Sequence, residues 1–253
     1  MILAAGFWAG MINVVVGSGT LVTFPTLLLF GYSPVVANVS NNIGLVGGGL
    51  AGSFGYRREL GGQSDLLRRL LPASAVGGIL GALLLLVLPA EAFNTIVPVL
   101  ILIGLLMVVS GPALQRRAVR GHGERAAGAG MTPVRLAWLT GGICFLGMYG
   151  GYFGAAQGIL VVGLMSVLTL EPLQSVNAIK NVLTTVVNAV AAATFMLFAW
   201  DSIDWPVVAL IAVGATLGGV AGARFGRRLS PRVMRTLIVV VGTVAIVKIV
   251  FFG

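Results

Sequence analysis

Apolar side chains run along this chain in stretches long enough to cross a bilayer, separated by short polar segments. A helix rising 1.5 Å per residue needs about 20 residues to span a hydrocarbon core of roughly 30 Å. Windows of that length with few charges predict full-length spans over 34–55, 67–88, 94–112, 172–199, 205–223 and 231–252. Two further regions, 1–31 and 135–170, are apolar throughout but interrupted near the middle, by Gly17-Ser18-Gly19 and by Gly154-Ala155-Ala156-Gln157-Gly158. The piece after each interruption, Thr20 to Phe30 or Ile159 to Thr169, has 11 residues, which makes about 16 Å of helix, or half a bilayer. A re-entrant hairpin with its tip near the midplane fits that length, and two short tilted spans joined by a Gly-rich turn are the alternative.

Composition agrees with this pattern. Of 253 residues, 58% are hydrophobic and 9% charged, against about 25% charged in soluble domains. No cleavable leader is expected, because residues 1–16 carry no basic segment before the apolar run. Cys144 and His122 are each the sole residue of their type, so a disulfide framework, a Cys/His metal site and a Ser/His dyad all lack members. No P-loop is present. The expectation is a protein that is not an enzyme, with no catalytic residues, metal or cofactor.

The net charge of +9 would point to nucleic acid in a soluble chain. Here it lies between the spans and fixes orientation instead, so the expected partner is the lipid bilayer and no nucleic acid. Arg57, Arg58, Arg68 and Arg69 share one loop, Arg116, Arg117, Arg120, Arg125 and Arg135 a second, and Arg224, Arg227, Arg228, Arg232 and Arg235 a third. The intervening loops hold Glu91, Asp201 and Asp204 and no basic residue. The positive-inside rule therefore places the three arginine loops in the cytoplasm, with Glu171 on the same side. Trp200 and Trp205 bracket the Asp201 to Asp204 loop, and Trp138 sits near the start of its segment, as an interfacial aromatic belt requires.

The chain also matches itself. Gly10-Met11 and Gly17 correspond to Gly147-Met148 and Gly154 at an offset of 137; Gly19, Leu21, Val22, Asn38 and Asn42 to Gly158, Leu160, Val161, Asn177 and Asn181 at 139; Gly77-Gly78-x-x-Gly81 to Gly218-Gly219-x-x-Gly222 at 141. Residues 1–112 and 135–253 thus read as two repeats joined by an Arg-rich cytoplasmic linker, 113–134. Because the first begins outside and the second in the cytoplasm, equivalent helices cross in opposite senses. The fold class expected is an all-α polytopic membrane protein of two inverted-topology repeats, each a Gly-broken helical hairpin plus three transmembrane helices. The glycines spaced at three and four residues inside the spans read as close helix packing.

Polar residues inside the spans mark the candidate site. Asn38, Asn41 and Asn42 stand at i, i+3 and i+4 on one helical face, and Asn177, Lys180 and Asn181 answer with the same spacing. Thr184 and Asn188 continue the second stripe. A charge within a span costs at least about 3 kcal/mol on insertion scales, and no acidic residue lies inside any predicted span to pair with Lys180. It either snorkels to the interface or finds its counter-ion in an anionic substrate. Ser18, Gly19 and Thr20 at one break and Gln157 and Gly158 at the other stand where a helix start aims its N–H groups, and they either cap the broken backbone or join it in holding an oxyanion.

The glycine run Gly10 to Gly19, the short apolar segment to Pro25 and Gly31, the helix start Pro34 to Asn42 and the recurrence of all this at 147–181 resemble the TauE/SafE sulfite exporter family over most of the chain. The resemblance implies a polytopic carrier of small sulfur-containing anions, such as sulfite or organosulfonates, in the bacterial inner membrane. The family tends towards Gly-Gly-Gly at each break, whereas this chain has Gly17-Ser18-Gly19 and Ala155-Ala156-Gln157, which adds a hydroxyl and an amide. A secondary transporter working by alternating access is the first reading. A passive anion channel would use the same lining, and a membrane scaffold without small-molecule flux is the third.

The orientation is open to a direct check. With Cys144 replaced by serine, single cysteines placed in 56–69 or 113–135 are expected to resist a membrane-impermeant maleimide in intact cells and to react after permeabilisation. Labelling from outside would reverse the assignment.

Overall fold

The computed structural model describes residues 1–125, 131–225 and 231–252. Among them there is no strand. Ten α-helices follow one another: α1 (Ile2–Val15), α2 (Thr20–Leu29), α3 (Pro34–Gly55), α4 (Ser64–Val87), α5 (Ala90–Arg125), α6 (Pro133–Tyr152), α7 (Gln157–Leu168), α8 (Leu173–Phe198), α9 (Trp205–Phe225) and α10 (Pro231–Phe252). Proline at the first helical position, with its missing N–H and preset φ, starts α3, α6 and α10 at Pro34, Pro133 and Pro231. Thr132 caps α6 by accepting from the Arg135 amide, and Asp204 accepts from the Val207 amide at the start of α9.

Both interruptions fall where the glycines predict, separating α1 from α2 and α6 from α7. Two expectations need correction. Residues 113–125, read as the first part of a linker, continue α5 to Arg125, giving a helix of 36 residues, about 54 Å and far longer than a hydrocarbon core. Of the rest of the arginine-rich linker, 126–134, residues 126–130 lie outside the described residues, as do Arg227 and Arg228, and α6 already begins at Pro133. In addition, of the six predicted spans four match described helices long and apolar enough to cross a membrane, Ser64–Val87, Ala90–Gly111, Leu173–Phe198 and Trp205–Phe225, and 231–252 forms α10, whose apolar stretch among the described side chains is Val233–Val247. The 22-residue α3 has the length, but Asn38, Ser40, Asn41 and Asn42, all buried, make it too polar. Those polar side chains are sheltered by other helices, while Leu50 and Phe54 of the same helix stay exposed.

The packing is interleaved. α1 lies along α9 and α6 along α4; α3 packs on α9 and α4 on α8; α2 touches α10 and α7 touches α5; α3 and α8 cross each other. Helices from the first half of the chain thus find their main neighbours in the second. Glycine sets the closeness of these contacts. A Cβ on Gly218 would lie 1.9 Å from the Phe7 carbonyl oxygen, and one on Gly10 2.1 Å from that of Ala215. On the other pair, Gly81 and Gly77 would meet the Met148 and Cys144 carbonyls at 1.9 and 2.1 Å. Backbone rests directly on backbone, the arrangement that favours helix association where lipid offers no hydrophobic drive. Side chains such as Phe54, Leu106, Phe145, Leu197 and Leu217 stay exposed on the outer faces, as lipid contact allows.

At the centre, Phe24 of α2 stacks edge-on against Phe153 at the second break, with centroids 5.0 Å apart, and Phe93 of α5 lies against both Phe153 and Tyr152. This cluster holds the two hairpins together.

Gly81→Ala and Gly218→Ala are each expected to cost about 1–3 kcal/mol by overpacking, read as a lowered Tm in detergent. Gly141→Ala and Gly163→Ala, whose added Cβ meets nothing within 4 Å, are the matched controls and should leave Tm unchanged.

Candidate functional site

Each helix break spans four residues, 16–19 and 153–156. The chain can turn there because Gly17 (φ +88°) and Gly154 (φ +75°) adopt the left-handed conformation that glycine enters without steric cost. Ala156, at φ 58°, does the same with a methyl group. The sequence match pairs Gly19 with Gly158, but the two extra residues of the second hairpin sit in α7, which has 12 residues where α2 has 10. In consequence it is Gly17 that meets Gly158. The Gly158 amide donates to the Gly17 carbonyl at 3.0 Å, and a Cβ on Gly158 would stand 2.5 Å from the Gly17 Cα. Gly19 instead packs on its own hairpin arm, against the Ala9 carbonyl and the Asn13 side chain.

Breaking a helix leaves carbonyls at one end and amides at the other without intrahelical partners. The second hairpin settles most of these internally: the amides of Gln157 and Ile159 donate to the Gly154 and Ala156 carbonyls, and the Tyr149 hydroxyl donates to the Ala155 carbonyl at 2.6 Å. Together with Gly158, this engages the first three amides of α7, so the free N–H groups expected at that tip are not available there. Gln157 also turns away from the tip contact, its amide donating to the Leu146 carbonyl of α6 at 3.0 Å.

The two polar faces do converge on the breaks. From α3, Asn38 donates to the Tyr152 carbonyl at the end of α6, at 2.9 Å. Asn41 accepts from the Thr23 hydroxyl and reaches the Thr20 hydroxyl with its amide at 3.5 Å, which fastens α3 to the first turn of α2. From α8, the Lys180 ammonium donates to the Asn13 and Val14 carbonyls at the end of α1, at 3.0 and 2.9 Å. With 0% of its surface exposed, this side chain does not snorkel. Thr184 and Thr185 fold back onto the Lys180 and Asn181 carbonyls, and Thr185 pairs with Ser53 of α3 at 3.2 Å. Asn177 and Asn188 are half-buried, and Asn177 stands apart from the tip contact.

Several buried polar atoms around the breaks have no hydrogen-bond partner among the described residues: Ser18 Oγ, Asn38 Oδ1, Asn42 Oδ1, Asn181 Nδ2 and the Tyr152 hydroxyl. Leaving such a group unpaired costs about 1–3 kcal/mol. Ser18 adjoins Gly17, Asn42 adjoins Asn41, and Asn181 adjoins Lys180, so each is one residue from a group anchored at a break. The two hydroxyls and the amide are donors suited to anionic oxygens, while the two carboxamide oxygens can accept from a protonated oxygen or a bridging water. The sequence pattern contained Ser18, Asn42 and Asn181 but not Tyr149, Tyr152 or Thr23, which sit among apolar neighbours without helical periodicity.

A mainly apolar cavity of ≈ 1120 Å³ opens beside the second hairpin, running from Val15 and Val16 at the first break along α6 and α7 to Asn177 and Arg235.

The sulfite exporter TauE/SafE family matches residues 2–249 of the chain. A "probable membrane transporter protein" of Haemophilus influenzae is 28% identical, with 99% of this chain and 94% of that protein covered. The "probable membrane transporter protein ORF9" of a Sinorhizobium species is 26% identical over 98% and 90%, and the "probable membrane transporter protein YfcA" of Escherichia coli K12 is 28% identical over 96% and 86%. No solved structure gives a significant match. With multiple membrane-length helices, two glycine-broken hairpins and a family match over nearly all its residues, the chain belongs to the TauE/SafE family of membrane transporter proteins.

Proposed function

We propose that this chain is a secondary transporter that exports a small sulfur-containing oxyanion, of the sulfite or organosulfonate type, across the bacterial inner membrane, with its arginine loops in the cytoplasm. The observation that carries the reading is the set of buried, unpartnered polar atoms on Ser18, Asn42 and Asn181, each one residue from a group fixed at a helix break. Ser18 Oγ–H and Asn181 Nδ2–H bind the anion's oxygens, and Asn42 Oδ1 accepts from a protonated oxygen. Lys180 supplies the positive charge. Asn38, Asn41, Thr20, Gly19, Gln157 and Gly158 shape and hold the tips, and Asn177 lines the approach.

The two sequence halves act as inverted repeats, and their contacts support this: α1 on α9 is answered by α6 on α4, α3 on α9 by α8 on α4, and α2 on α10 by α7 on α5. The same contacts make the moving bodies differ from the halves. One body is α1, α3 and α9, the other α4, α6 and α8, and the anion site lies where they meet through α3 and α8. Rocking one against the other exposes the site alternately to each side. The broad cavity beside α6 and α7 is the path open in the present arrangement.

The family match and the transporter relatives favour flux over a scaffold role. Counterflow separates a carrier from a channel: proteoliposomes preloaded with unlabelled sulfite are expected to accumulate labelled sulfite transiently, whereas a channel would give unitary currents and no counterflow.

Binding offers a finer test. Ser18→Ala, Asn42→Ala and Asn181→Ala are each expected to cost about 1 kcal/mol, roughly fivefold in affinity, because each removes a neutral hydrogen bond. Asn41→Ala, which loses its bonds to α2, should lower Tm and affect affinity less. Isothermal titration with sulfite, alongside thermal unfolding of each variant, reads both; unchanged affinity in all three site variants would contradict the assignment.

A further inference from the structure

The position of Lys180 is unusual for a substrate-binding lysine. Two of its three N–H donors face carbonyls at the end of α1, Asn13 and Val14, and its Cδ lies where a Cβ on Gly158 would approach to 2.9 Å. The ammonium is thus wedged between the tips of the two hairpins. Its hydrogen-bond partners among the described residues are these two backbone carbonyls; Glu171, which precedes α8, receives the side-chain amide of Gln63. The end of a helix carries the negative pole of its dipole. In transporters built from broken helices, carbonyls at such ends coordinate the coupling cation.

The other half of the molecule sharpens the point. There the end of α6 receives the neutral amide of Asn38 at the Tyr152 carbonyl, and Asn41, which holds the place in the stripe that Lys180 holds in α8, bonds to threonines of α2. Of the helix ends at the two breaks, that of α1 receives a charged side chain and that of α6 a neutral one. A fixed cation there would neutralise a singly charged oxyanion bound beside it, removing much of the cost of burying that anion.

We propose that the terminal carbonyls of α1 form a monovalent-cation site whose permanent occupant is the Lys180 ammonium, so that the protein binds its anion without a free sodium or potassium ion. The lysine is a positioning residue: it fixes the end of α1, and with it Ser18, against α8. The inference rests on the transporter reading for the identity of the anion, but its first consequence, on stability, does not.

Thermal unfolding of the purified protein in sodium, potassium or choline chloride at equal ionic strength, without substrate, is expected to give one Tm for the wild type in all three salts. Lys180→Ala should unfold at lower temperature in choline chloride and recover part of the loss, saturably, on titration with methylammonium, which leaves the wild type unmoved. Sulfite affinity should be the same for the wild type in sodium and choline salts. In Lys180→Ala it should fall at least tenfold and be partly restored by methylammonium, while Lys180→Arg should need no added amine. A saturable rise of wild-type Tm or sulfite affinity with sodium would overturn the proposal, as would a Lys180→Ala protein with wild-type Tm and no response to amine. The wild-type comparison decides even where Lys180→Ala does not fold. A wild type that binds no sulfur oxyanion in any salt would refute the transporter reading while leaving the cation result legible in Tm.

Discussion

A helix interrupted inside a membrane has backbone carbonyls and amides that water cannot reach, and each must find a partner within the protein. This requirement organises the centre of the molecule. The end of α1 is met by Lys180 and the end of α6 by Asn38. The second turn is closed by Tyr149 and by the Gly158 amide on Gly17. The Lys180 and Asn38 bonds run between the two interleaved bodies, and the Gly158–Gly17 bond joins the two breaks. On the proposed reading, the breaks tie together the parts that move in transport, and Ser18, Asn42 and Asn181 keep polar atoms without a partner beside them.

Close backbone packing supplies the complementary constraint. α1 and α9, and likewise α4 and α6, approach so closely at Gly10, Gly218, Gly77 and Gly81 that no side chain fits between them. Contacts of this kind rigidify each body, whereas the α3 and α8 crossing carries polar side chains such as Ser53 and Thr185. Stiff bodies meeting across a polar seam suit rigid-body rocking with the ligand at the seam. The apolar exterior needs only to match lipid.

Much of this was legible before the fold was known. Membrane-length apolar runs, the two glycine breaks and the matched Asn/Lys stripes follow from length, periodicity and self-similarity, and the helices formed where those signals placed them. The α3 helix shows the limit of counting charges: 34–55 reads as a full-length span because it holds none, but its buried asparagines make it too polar for one and need other helices around them. Lys180 shows another. Its sequence neighbourhood contains no acid, which left an anion or the interface as partners, but backbone carbonyls of α1, 166 and 167 residues away in sequence, leave no compositional trace. The same holds for Gln157, whose amide turned to its own hairpin, and for α5, whose arginine-rich end continued as helix although its apolarity had ceased.

On the proposed function, a sulfur oxyanion is held at the meeting of the two breaks. Crystals grown with selenite, the selenium counterpart of sulfite, allow the anion to be located by anomalous scattering alone. One selenium peak is expected within hydrogen-bonding reach of Ser18, Asn42 and Asn181, beside the Lys180 ammonium. A peak confined to the broad cavity near Asn177 and Arg235, with none at the breaks, would contradict it.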